Sequence, residues 1–159
     1  MTSSRTNECR IVVDTLIFVP AMAHSHEEGR VYALLLRKCC KVVVSEQIRE
    51  QYCSVMNKFG YPADAIWHEL NRLYAMNKLR EFGDTPGDIA DDLAPRKDQH
   101  IVAPCLAGFA HYIISGDRGI IARRERIREL TGARVLNSQE AEREFAAKVD
   151  CPPDLAGQR

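Results

Sequence analysis

The chain has 159 residues, enough for one domain with a real core; 45% of them are hydrophobic and 28% charged, the mix of an ordinary soluble globular protein. No stretch approaches the roughly 18 consecutive apolar residues of a membrane helix, and the opening MTSSRTNECR has no apolar run behind its charges, so neither a membrane span nor a secretory leader is expected and the cytoplasm is the expected compartment. Lys plus Arg equals Asp plus Glu at 22 each, so net charge alone points to no nucleic acid.

In chain order, CRIVVDTLIFV opens with a β-branched apolar run of buried-strand length. The segment HSHEE (His24 to Glu28) reads as a solvated loop, GRVYALLLRKCC as a helix, and KVVVS as a second buried strand. Ser45 is placed to cap a helix running to about Phe59, with Ile48, Tyr52, Val55, Met56 and Phe59 as its apolar stripe. Gly60 and Pro62 punctuate, and a further helix is expected from about Ala63 to Phe82. The acid-rich GDTPGDIADDLAPRK reads as loop, and a helix follows from Asp98 that must accommodate Pro104. HYIIS is a strand, RGIIARRERIREL a helix, ARVLN a strand, and SQEAEREFAAK a helix capped by Ser138. Residues 1–148 then form a single domain and 149–159 a frayed tail. Strands alternating with helices define an α/β fold, a three-layer sandwich with a central, mainly parallel sheet flanked by helices.

The six cysteines (Cys9, Cys39, Cys40, Cys53, Cys105 and Cys151) lack the two-residue gap of a zinc knuckle, and several lie in apolar stretches, so packing is the expected role rather than zinc or disulfides. The acids are more informative. Parallel α/β sheets bind ligands outside the carboxyl ends of their strands. Asp14 ends the apolar RIVV strand and Asp117 follows HYIISG, so both belong to that edge. Asp98 opens a helix aimed at the same edge, although taken alone it reads as an N-cap. Three carboxylates brought together require a counter-charge. A hard cation such as Mg²⁺ or Mn²⁺ supplies it and suits phosphoryl chemistry. The arginines clustered after Asp117 read as a solvated helix face or as phosphate contacts, Arg118 and Arg123 being nearest the strand end.

Around these acids the sequence resembles a known family. RIVVDTLIFVPAM resembles the opening strand and loop of PIN domains, and RKDQHIVAPCLAGFAHYIISGDRGII their second half, with an Asp opening an Ala-rich helix before a strand that ends in Ser-Gly-Asp. VVVSEQIREQYCSVM is similar to the family's middle strand and helix, and GARVLNSQEAEREF to its last ones, so the likeness spans roughly residues 10–145. The resemblance implies Asp14, Asp98 and Asp117 as metal-binding catalytic acids and Ser115 as a supporting hydroxyl. It also implies ribonuclease activity with Mg²⁺ or Mn²⁺. VapC-like members are toxins with an antitoxin protein as partner and are often homodimers.

The chain departs from the family pattern at Leu16, where Asn is frequent, at Gly119, where a further acid is frequent, and at Gln51, where the helix acid is expected with Glu50 next to it. Helical geometry, about 100° per residue, puts Glu50 opposite the apolar stripe and Gln51 on its flank toward the strand ends. Gln51 is therefore favoured as the fourth position, with Glu50 as the alternative. These departures keep open a PIN-like domain that binds RNA or a protein without cutting. A haloacid-dehalogenase-like phosphatase would need an Asp at Leu16, and a dinucleotide-binding domain would need glycines in DTLIFVPA; neither is present.

Overall fold

The computed structural model describes residues 8–23, 26–83 and 93–150. Five strands form one parallel sheet: β1 (Cys9–Val13), β2 (Cys40–Val44), β3 (Leu79–Glu81), β4 (Tyr112–Ile114) and β5 (Arg134–Leu136), in the order β3-β2-β1-β4-β5. The helices are α1 (Thr15–Met22), α2 (His26–Arg37), α3 (Glu46–Lys58), α4 (Asp64–Ala75), α5 (Gln99–Leu106), α6 (Arg118–Ala122), α7 (Arg124–Thr131) and α8 (Ser138–Ala146). This is the expected α/β three-layer sandwich. The near-continuous apolar strands are buried on both faces: Ile11, Val12, Val13, Val42, Val43, Ile113 and Ile114 are inaccessible to solvent. Among the described residues no helix is long and apolar enough to cross a membrane.

The chain winds outward from β1 to β2 and β3, then returns to build β4 and β5 on the other side of β1. The order therefore reverses between β1 and β4, which makes the carboxyl ends of those two strands the switch point where such sheets bind ligands. The pairing continues past the strands. The Asp14 amide donates to the Ile114 carbonyl at 2.9 Å, and the Ser115 amide to the Leu136 carbonyl at 2.9 Å. Asp14 and Ser115 thus have their backbones fixed by the ladder itself.

Several elements differ from the sequence expectations. The residues after Asp14 form a helix rather than a loop, because Asp14 caps it by accepting from the Thr15 amide, and Pro20 sits near its end. Glu27 and Glu28 belong to the first turn of α2, where acids favour the helix dipole, and not to a loop; His24 and Ser25 lie outside the described residues. The helix expected to reach Phe82 stops at Ala75. Asn77 takes a left-handed φ of 60° and turns the chain into β3. The arginine-rich segment is two helices, α6 and α7, broken at Arg123, and α8 is capped by Asn137 with Glu140 in a reciprocal capping box, not by Ser138.

Among the cysteines, Cys9, Cys40, Cys53 and Cys105 are free thiols, whereas Cys39 is disulfide-bonded, so the expectation of packing alone fails at that position. At the start of the tail expected to fray from residue 149, Val149 is exposed and Asp150 pairs with Lys38 and, at 3.6 Å, with Arg37. The remainder of that tail, including Cys151, lies outside the described residues.

Candidate active site at the carboxyl edge of the sheet

Asp14 stands at the end of β1 and is 5% exposed. One carboxylate oxygen accepts from the Thr15 amide at 2.8 Å, and the other accepts from the Ser115 hydroxyl at 2.6 Å. Beneath it, the Tyr52 hydroxyl of α3 donates to the Val13 carbonyl, and the Tyr52 ring stacks on Phe18 of α1 with centroids 4.2 Å apart. The end of β1 is therefore clamped from α1 and α3 at once. Burial raises the Asp14 pKa; the Ser115 and Thr15 hydrogen bonds oppose the shift, and the Asp117 charge adds to it.

Ser115 is fully buried and links two acids, because the oxygen that donates to Asp14 accepts from the Asp117 amide at 3.0 Å. Asp117 caps α6 by accepting from the Ile120 amide at 3.1 Å. Burial alone would raise its carboxyl. The Lys97 ammonium, the Ile120 amide and a hydrogen bond shared with Asp98 together hold it below the ordinary range.

Asp98 ends a 3₁₀ turn (Arg96–Asp98) that leads into α5, and it is 5% exposed. An N-cap at this position would accept an amide hydrogen from the first turn. Asp98 makes no such bond, and its Oδ2 is buried without a hydrogen-bond partner. Helix capping therefore does not account for a carboxylate buried here. Burial pushes its pKa up to about 6; Lys97 opposes the shift, and Asp117 adds to it through a shared hydrogen bond and its charge. Lys97 Nζ lies 3.1 Å from Asp98 Oδ2, close enough to pair without hydrogen-bond alignment, and 3.1 Å from Asp117 Oδ1.

The three acids expected from the sequence thus form one connected group, joined by Ser115 on one side and Lys97 on the other. They are not drawn together as a ready ligand set: among the described residues no three His, Cys, Asp or Glu side chains are so placed. Their chemistry still fits a hard divalent ion. The donors are oxygens, and two buried ones at this edge, Asp98 Oδ2 and Thr15 Oγ1, have no hydrogen-bond partner.

Glu50 is exposed, whereas Gln51 is half-buried and its amide oxygen accepts from His100 Nε2 on α5. Burial lowers the His100 pKa. The buried stripe of α3 is Ile48, Tyr52 and Met56; Phe59 falls beyond the helix end and is 48% exposed. Gly119 has no room for a side chain, since a Cβ there would lie 2.7 Å from Pro95 Cγ and 3.1 Å from Asp117 Oδ2. The acid that the family often carries at this position is sterically excluded while Pro95 packs as it does. Leu16 is 56% exposed and points out of the core.

Arg118 is exposed beside Asp117, and Arg123 donates to the Gly119 carbonyl at 2.8 Å. Further along, Arg124 pairs with Glu140 at 3.1 Å and Arg126 with Glu129 at 3.9 Å, as on a solvated helix face. A cleft of about 310 Å³ lies at the ends of β2 and β3, lined by Ser45, Arg49, Glu81 and His100 among others and by none of the three acids.

Sequence reasoning missed Lys97 and His100. Both lie in the KDQH run around Asp98, and their flanking position was the available signal.

A parallel α/β sheet of this order, with acids after its central strands, is a fold of the nuclease type. The model of the PIN domain family matches residues 10–119, well over half of the chain, and the chain belongs to that family. No curated protein and no solved structure matches it.

Proposed function

We propose that the chain is a divalent-metal-dependent endoribonuclease in which Asp14, Asp98 and Asp117 would hold Mg²⁺ or Mn²⁺. The observation that carries this reading is Asp98, a buried carboxylate that caps no helix yet adjoins Asp117 at the switch point. When bound, such an ion supplies the positive charge that activates water and stabilises a leaving oxygen. The Ser115 hydroxyl orients Asp14 by donating to its Oδ2 and fixes the Asp117 backbone. Gln51, held by His100, provides a neutral amide where the family pattern has an acid, so the ion would be held by three negative charges. Arg118 and Arg123 are proposed to contact the RNA backbone, with the cleft beside His100 receiving the strand.

The test is cleavage of single-stranded RNA by the wild type and by Asp14→Asn and Asp117→Asn, in Mn²⁺ and in EDTA. Cleavage in Mn²⁺ that both variants lose supports the reading; cleavage that persists in EDTA overturns it. One observation favours a second reading, a PIN domain that binds RNA or a protein without cutting: the Gln51–His100 pair replaces a charged ligand with a neutral, already engaged one. RNA binding measured in EDTA, with no cleavage at millimolar Mn²⁺, would select it. A toxin role with an antitoxin partner and a homodimeric state extend the first reading. They rest on the family resemblance alone, and co-purification with the product of an adjacent small gene tests them.

A further inference from the structure

Three carboxylates at one sheet edge repel one another, and the exposed pair Lys97–Asp117 supplies part of the compensation. Lys97 occupies a particular place. Its ammonium is 3.1 Å from an oxygen of Asp98 and 3.1 Å from an oxygen of Asp117, so one point charge bridges the two acids that no backbone ladder holds together. Its side chain is 69% exposed, whereas those of Asp98 and Asp117 are 7% and 17% exposed. The acids are therefore largely buried and the cation reaches in from solvent. The approach to Asp98 Oδ2 is not aligned as a hydrogen bond, and that oxygen stays without a donor. An ammonium carries one charge and three hydrogens on a flexible stem, whereas a divalent ion carries two charges and takes several oxygen lone pairs at once. The contact is electrostatic and weakly held. Two such pairs reaching into solvent are each worth little, so release needs little work.

We propose that Lys97 is a tethered counter-cation that holds the acid cluster together and that a divalent ion displaces, so that ion binding and Lys97 release are a single exchange. This rests on the metal-site reading above. In the metal-free protein Lys97 offsets one of the two charges of Asp98 and Asp117, and it would compete with a divalent ion for the same oxygens. The chain thereby trades affinity for integrity of the metal-free fold.

The experiment is a Mn²⁺ titration followed by the electron paramagnetic resonance signal of free Mn²⁺, at pH 8, on the wild type, Lys97→Met and Lys97→Arg, with melting in EDTA recorded for each. Met keeps the stem and removes the charge; Arg keeps the charge. Lys97→Met should bind Mn²⁺ about three- to tenfold more tightly, the range expected on losing two exposed ion pairs, and should melt lower in EDTA. Lys97→Arg should resemble the wild type in both. Equal Mn²⁺ affinity in wild type and Lys97→Met would overturn the exchange and leave the metal-site reading standing. Tighter binding by Lys97→Arg as well would assign the effect to side-chain bulk and overturn it too. An absence of Mn²⁺ binding by all three at millimolar concentration would instead remove the metal-site reading on which the inference depends.

Discussion

Asp98 is buried where its charge is costly, and the cost has a measurable sign. Its carboxyl is raised to about 6 in the folded chain against about 3.9 in an unfolded one. The folded state therefore binds this proton more tightly, and stability contributed by it is present at low pH and lost as pH rises from about 4 through about 6. Asp14 is raised too and acts in the same direction, while Asp117 is lowered and acts oppositely, below its ordinary range. Melting of the metal-free protein should fall across that window. In Asp98→Asn the fall should be shallower, with the variant melting no lower than wild type in EDTA. Because a ligand of the native state stabilises it by mass action, Mn²⁺ should raise the wild-type melting temperature and leave Asp98→Asn nearly unmoved; an equal rise in both would remove Asp98 from the site. At Gly119 the expectation is steric. Gly119→Ala places a methyl against the Pro95 ring and should cost about 1–3 kcal/mol, as overpacking does. Gly119→Asp should cost more, since it adds charge beside Asp117. Urea unfolding midpoints of the two variants decide this, and an unchanged midpoint in Gly119→Ala would mean that Pro95 yields.

In α3 the helical period decides which side chains turn toward the acids. Ile48, Tyr52 and Met56 share its buried face, which leaves Glu50 in solvent and Gln51 on the flank toward α5. Gln51→Glu should therefore tighten Mn²⁺ binding by roughly tenfold when measured at pH 8, where the His100 imidazole stays neutral. Glu50→Gln should change it little. A large loss from Glu50→Gln would place the ligand on the other side of the helix. For α6, replacing Arg118 and Arg123 by Ala should reduce the salt dependence of RNA binding by a slope of about 1.4, from roughly 0.7 per phosphate contact on a single strand. Arg124 and Arg126 are paired with acids of the chain, so their replacement should leave the slope unchanged. What the sequence revealed and concealed follows from the same physics. Apolar runs long enough to be buried on both faces, such as CKVVV, announced strands, and Ser45 announced a cap that the structure contains, accepting from the Ile48 amide at 3.2 Å. β3 was hidden because LRE is short, edge-placed and charged at two of its three positions, and the reversal before it depends on Asn77 adopting a left-handed turn. The break at Arg123 was hidden as well, since no Gly or Pro marks it.

Over the whole molecule, the sheet order places the site. Because the chain winds one way from β1 and then the other, the residues after β1 and after β4 meet without any loop reaching across. The Asp14–Ser115–Asp117 chain of hydrogen bonds is the local consequence. Strand ends were legible in the sequence, so Asp14 and Asp117 were too. Lys97 and His100 were not, since neither ends a strand nor fits a periodic face, and their roles depend on where a 3₁₀ turn sets them against α3 and α6. Asp14, Asp98 and Asp117 are proposed to share one divalent ion. Anomalous diffraction from a Mn²⁺-soaked crystal tests this most directly. A single strong peak is expected at the carboxyl ends of β1 and β4, within coordination distance of carboxylates from these acids and with Lys97 turned away from Asp98 and Asp117. No peak at that edge under millimolar Mn²⁺, or a peak held by other residues while Lys97 still bridges the two acids, would contradict it.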